Sequence, residues 1–199
     1  TLDRSSAASD VYKRQDKIIE LLGDFKAPMG CRSFLPSWKD ATGNFENNGR
    51  CNLGVVTLNI PRIAIESNGD MAKFWELFDQ KMQLMHDALV YRIKRLKDAI
   101  PNNAPILYKS GAFKYKLNAS ENVEELFKHQ RATISMGYIG LYEAATMFYG
   151  PDWEDNIEAK TFTLDILREM KYYQNAWTNQ YDIWFSIYSC LLYTSDAAD

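Results

Sequence analysis

The residue whose type and setting most invite chemistry is Cys31. It stands between Gly30 and Arg32 in the stretch KAPMGCRSFLPSW, inside a loop bounded by Pro28 and Pro36. A cysteine that only fills a core belongs to a periodic apolar segment. Here the backbone is bent instead: Gly30 permits a tight turn, and the two prolines restrict the loop. Such a loop could hold a sulfur at its tip, facing a cavity. Arg32 favours a thiolate if it lies beside the sulfur. The residues alone leave two readings open, a reactive thiol or a packed one whose arginine ties the loop to a neighbouring acid.

Other chemistries find less support. Cys31, Cys51, His86 and His129 could nominally supply four zinc ligands. No two of them share the close-pair spacing of such sites, so no metal site is expected on this stretch. His86 falls within a helical pattern and His129 in a polar turn. Glu124-Glu125 and Glu154-Asp155 read as solvated helix starts that favour the dipole. There is no Gly-x-Ser-x-Gly elbow, Walker loop or Gly-x-Gly-x-x-Gly fingerprint.

The ends read differently from the middle. With suitable codons, the C-terminal CLLYTSDAAD and the N-terminal SAASDVYK are inverted, frame-shifted copies of one another at the DNA level. That is expected of a translated sequencing-library adaptor, not of two native termini. Residues 1–15 and 190–199, with Cys190, are therefore expected to be non-native. Residues 16–189 are expected to be an internal piece of a larger protein. The chain carries 23 Lys and Arg against 26 Asp and Glu, a formal net charge of −3. This balance gives no electrostatic footprint for nucleic acid or an anionic membrane surface. No apolar run is long enough to span a bilayer. Two remaining cysteines make no disulfide framework, which points to a reducing cytoplasm.

The elements that must position Cys31 follow from periodicity. DKIIELLGD reads as a helix end stopped at Gly23. NLGVVTLNIPRIAI is β-branched and apolar, as for a strand buried on both faces, with Pro61 at or beyond its end. After the start signal Ser67-Asn68-Gly69-Asp70, Phe74, Phe78, Met82, Met85, Leu89, Ile93 and Leu96 recur at helical spacing until Pro101. APILYKSGAF suggests a short strand and SENVEELFK a short capped helix. ATISMGYIGL reads as strand and turn, followed by a helix through YEAATMFYG to Gly150-Pro151. Residues 153 to about 178 form another helix, and DIWFSIYS a last strand. Helices alternating with strands give an α/β architecture.

MGCRSFLPSW and NNGRCNLGVVTLNIPRIAIES resemble the anaerobic (class III) ribonucleoside-triphosphate reductases, a family of glycyl radical enzymes. GDMAKFWELFDQKM, DALVYRIKRLKDA, NAPILYKSGAF, RATISMGYIGLYEAATMFYG and WFSIYS continue the resemblance in order across residues 16–189. It implies a ten-stranded α/β barrel threaded by a finger loop with a cysteine at its tip, and residues 16–189 as the central part of that catalytic domain. It implies that Cys31 becomes a thiyl radical, driven by a glycyl radical outside this segment that a radical S-adenosylmethionine activating enzyme installs. It also implies that Asn52 points into the substrate site and orients the ribose. Asn at that position resembles the branch reduced by formate, whereas a thiol-reduced branch carries Glu. Asn cannot act as a base, so formate or its product would manage the 3′-hydroxyl proton. An Asn ending a turn before a strand is the plainer reading of the same residue.

Further implied are a ribonucleoside triphosphate substrate, nucleotide effectors, a homodimer at full length, and a structural zinc in the C-terminal region beyond this segment. The segment alone is expected to be inert, because the glycyl radical, a second cysteine and the phosphate loop lie elsewhere. Cys51 departs from the family pattern and is expected to pack, facing away from Asn52. Two alternatives are weighed. A pyruvate formate-lyase-like glycyl radical enzyme would carry two adjacent cysteines where Cys31-Arg32 stands. A non-catalytic paralogue would have no need of a thiol there.

Overall fold

The structure is a computed structural model and describes residues 19–20, 35–46 and 48–189. The Cys31 tip, most of DKIIELLGD and both expected non-native ends lie outside the described residues.

Three parallel strands form the sheet: β1 (Asn52–Asn59), β2 (Thr133–Ile139) and β3 (Trp184–Ser189), in the order β1-β2-β3. Parallel neighbours require crossovers, and helices supply them. α1 (Ile60–Ser67), α2 (Met71–Lys97) and the single turn α3 (Pro105–Tyr108) separate β1 from β2. α4 (Leu141–Tyr149) and α5 (Ile157–Tyr181) separate β2 from β3. The mixed α/β architecture expected from the alternation is present.

The long helices begin where side chains can satisfy their free backbone N–H groups. Asp70 accepts from the Ala72 and Lys73 amides at 2.9 and 3.1 Å, and Asn156 from the Glu158 amide at 2.8 Å. The apolar stripe of α2 is buried as its spacing predicts: Phe74, Phe78, Met82 and Leu89 are fully enclosed. Phe74 meets Phe162 of α5 and Phe148 of α4 edge-on, with ring centroids 5.1 and 5.5 Å apart. Each such buried ring contributes about 1.5–3 kcal/mol.

Two expectations are corrected and one is completed: the strand stops at Asn59, so Pro61 lies beyond its end as expected, and IPRIAIES behind it is α1. Pro61 lies in that helix's first turn, where a missing N–H costs nothing, and the Asn59 side chain accepts from the Arg62 amide at 3.0 Å. β1 is also not buried on both faces, since Val55, Thr57 and Asn59 are exposed among the described residues. It is β2, the middle strand, that is enclosed from Thr133 to Gly137. Finally, APILY is a helical turn and not a strand. Its Ile106 and Leu107 are exposed, and Pro105 opens the turn.

A buried ionic knot holds the entrance to β1 and β2. Arg131 donates to the carbonyls of Leu126 at 2.7 Å, Phe113 at 3.0 Å and Asn48 at 3.3 Å, and pairs with Glu46 at 3.4 Å. Lys114 closes on the other Glu46 oxygen at 3.0 Å. Arg50 donates to the Arg131 carbonyl at 3.0 Å and to the Pro36 carbonyl at 2.6 Å. Burial, and then the charge of Arg131, push the Arg50 guanidinium down to about 10. Breaking a buried pair from one side costs roughly 3–5 kcal/mol. Arg131→Ala is therefore expected to loosen residues 35–50, seen as a rise of about 100-fold in protease cleavage there. Unchanged cleavage would show that the knot does not hold this loop.

Candidate active site on the polar face of the sheet

The two faces of the sheet have different chemistry. Val56, Leu58, Ile134, Met136, Phe185 and Ile187 belong to or pack on the helix-covered core. Residues of opposite parity make a polar face. Across the register, Val55 pairs with Ser135 and Ser135 with Ser186. One step on, Thr57 pairs with Gly137 and Gly137 with Tyr188.

Asn52 reaches this face through a bulge. Strict alternation from Val55 would turn residue 52 toward the helices, as it does Val56 and Leu58. The register instead slips between Asn52 and Val55, where β1 spends one residue more than β2. Leu53 packs against the core and Asn52 joins the polar side. Gly54 carries the bulge at φ +137°, and a Cβ there would stand 2.6 Å from Nη1 of Arg92. Its amide returns to Oδ1 of Asn52 at 2.8 Å. The Asn52 Nδ2 donates to Oγ of Ser135 on β2, whose hydroxyl lies 3.0 Å from that of Ser186 on β3. A polar row thus crosses all three strands.

The next row is built around an absent side chain. Thr57 Oγ1 and the Tyr188 hydroxyl approach to 3.4 Å over Gly137. A Cβ on Gly137 would come within 2.6 Å of the threonine oxygen and 2.8 Å of the tyrosine ring. Every side chain named on this face is neutral.

Cys51 has a different setting. It packs on the core side, and burial pushes its thiol up to about 11 despite Arg131 and Arg50 nearby. Its carbonyl accepts from the Thr133 amide at 3.0 Å. His86 is wedged between Trp177 and Tyr181, with Nε2 2.9 Å from the tyrosine hydroxyl. His129 is exposed in a turn whose backbone amide donates to Asp182 at 2.8 Å. Of the four nominal zinc ligands, Cys51, His86 and His129 occupy separate environments among the described residues, and Cys31 lies outside them. A cavity of about 420 Å³ runs along the β1 edge between α1 and α2, lined by Val56, Leu84, Met85 and Ala88. It is apolar and does not include Asn52.

The family model of anaerobic ribonucleoside-triphosphate reductase matches residues 9–190. The chain belongs to the anaerobic ribonucleoside-triphosphate reductase family. It is 42% identical over 175 residues to the anaerobic ribonucleoside-triphosphate reductase of Escherichia coli (strain K12), covering 87% of this chain and 25% of that protein. To the reductase of Enterobacteria phage T4 it is 44% identical over 167 residues, 82% of this chain and 26% of the other. It spans about a quarter of the length of these curated reductases. Its fold is similar to that of the anaerobic ribonucleotide reductase from Thermotoga maritima, solved with glycerol in the active site. The TM-score is 0.52 at 20% identity, over 76% of this chain and 23% of that one. The same reductase with citrate in the active site gives a TM-score of 0.51.

Of the two site residues expected from the reductase resemblance, the structure places Asn52 and leaves Cys31 outside the described residues. Sequence reasoning missed Ser135 and Ser186. Both interrupt apolar strands at the alternate positions of TISMG and FSIY, a signal that was there to be read.

Proposed function

We propose that this chain is the central part of a longer anaerobic reductase that converts ribonucleoside triphosphates to deoxyribonucleotides. In that reading the three parallel strands are an arc of a ten-stranded barrel. The polar face lines its interior, and the Cys31 finger loop threads toward it. The observation that carries the reading is the family match across residues 9–190, together with an asparagine that a bulge turns onto a neutral, polar sheet face.

In the complete enzyme, a glycyl radical beyond this segment, installed by a radical S-adenosylmethionine activating enzyme, and formate supply radical initiation and reducing equivalents. Cys31 gives up its thiol hydrogen and, as a thiyl radical, takes the ribose 3′ hydrogen. Loss of that hydrogen weakens the 2′ carbon–oxygen bond, so the hydroxyl leaves as water once protonated. The thiol hydrogen returns to the 3′ carbon at the end. Formate and one proton are consumed for each carbon dioxide and water released. Asn52 holds the ribose by its amide and takes no proton. The absence of a carboxylate among the described residues named on this face fits formate, which brings its own. Nucleotide effectors, a homodimer, a C-terminal structural zinc and a cytoplasmic setting belong to the same reading.

The test uses the activated full-length reductase carrying this segment, with ribonucleoside triphosphate and labelled formate under strict anaerobiosis. One labelled carbon dioxide is expected for each deoxynucleotide. Turnover that needs only a dithiol reductant overturns the formate assignment. Absence of any deoxynucleotide from a radical-bearing enzyme overturns the reductase assignment.

A further inference from the structure

Asn52 is held by groups whose donor and acceptor roles are fixed. The Gly54 amide can only donate, so the atom it meets at 2.8 Å is the Asn52 oxygen. The amide nitrogen therefore faces Ser135. Ser135 Oγ accepts there, which frees its own proton for Ser186 Oγ at 3.0 Å. Ser186 in turn has the Ile134 carbonyl as an acceptor at 3.5 Å. Run in this direction, the chain leaves no hydroxyl proton unpaired. Run the other way, the Ser135 proton has no acceptor among the described residues. Ser135 is buried, so such an orphan would be costly.

One N–H and one oxygen lone pair of Asn52 are left without a partner among the described residues. A donor and an acceptor side by side match a vicinal diol, in which one hydroxyl donates and its neighbour accepts. An amide free to rotate would offer them in either order and would pay rotamer entropy to choose. Anchoring it to β2 and β3 removes the choice before substrate arrives.

We propose that Ser135 and Ser186 are positioning residues: their hydroxyls form a one-way hydrogen-bond relay across three strands that fixes the orientation of the Asn52 amide toward the ribose diol. This rests on the reading that Asn52 orients the ribose. The serines act through Asn52 and touch no substrate.

The test is a double-mutant cycle in the activated full-length reductase, with glycyl radical content matched by electron paramagnetic resonance. Ser135→Ala is expected to lower kcat about 10-fold while KM moves little, the scale of one lost hydrogen bond on a buried polar group. In an Asn52→Ala background the same substitution should change nothing further. Ser186→Ala should act in the same direction but less, and Ser186→Thr, which keeps the hydroxyl, should restore the rate. These two carry the test if Ser135→Ala does not fold. An equal loss from Ser135→Ala with or without Asn52, or no loss from Ser135→Ala and Ser186→Ala alike, overturns the relay. Full turnover by Asn52→Ala instead overturns the reading beneath it, and the two failures are told apart by that single variant.

Discussion

Cys31→Ala in the activated full-length reductase is expected to cut deoxynucleotide formation by roughly 10⁴-fold or more, the scale seen when a group that does the covalent chemistry is removed. In the proposed mechanism the activating enzyme installs the glycyl radical without this thiol, so the radical should still form and persist. The measurement is turnover and radical signal on the same sample. The contrast with Cys51→Ala makes the result specific. Cys51 packs on the helix side, away from the polar face, and burial holds its thiol neutral well beyond pH 8. A neutral, half-buried thiol packed against the core and turned away from the polar face is not placed to meet substrate, so Cys51→Ala should retain turnover. If Cys51→Ala is the dead variant and Cys31→Ala the live one, the radical assignment is reversed.

Asn52→Ala is expected to lower kcat by about 100-fold or more, as removing one preorganised donor from a catalytic site does. Asparagine offers a matched donor and acceptor that no bound water reproduces at a fixed angle. Asn52→Asp should not rescue. It lacks the N–H, and its carboxylate would repel the formate anion that the proposed mechanism brings to the site. Steady-state rates of both variants against formate concentration check this. A near-normal rate for Asn52→Asp would mean that the position tolerates charge and that formate binds elsewhere.

How much was legible in the sequence depended on whether a residue's role was local. The 3.6-residue recurrence from Phe74 to Ile93 needs only the helix to explain it, and the structure buries those positions. Asp70 declares a helix start within three residues, whereas the start read at residue 153 falls on a 3-10 turn and the helix begins at Ile157, behind the Asn156 cap. Pro61 marked the strand's end, but proline ends strands and begins helices equally well, so the helix behind it is legible only from the Asn59 cap. Ile106 and Leu107 misled because apolar residues look like strand even where no neighbouring strand is there to pair with them. The facing of Asn52 was beyond any period-2 reading. It depends on a register slip against β2, which is 80 residues away in the chain. Gly54 within the strand was its one local sign. Ser135 and Ser186 mattered only once three strands lay side by side. Cys31 was picked out by its surroundings in sequence, and its placement lies outside the described residues.

The bulge at Gly54 also has a genetic meaning. It makes the chemistry of β1 depend on parity, so deleting Gly54 would leave every named side chain present. The amide would nonetheless be turned into the helix-covered core and its neighbours outward. Point changes are treated quite differently. Because the slip frees residue 52 from the core's packing demands, a single codon can exchange asparagine for an acid without disturbing Leu53, Val56 or Leu58. The strand is thus intolerant of a change in length and permissive to a change in letter at position 52.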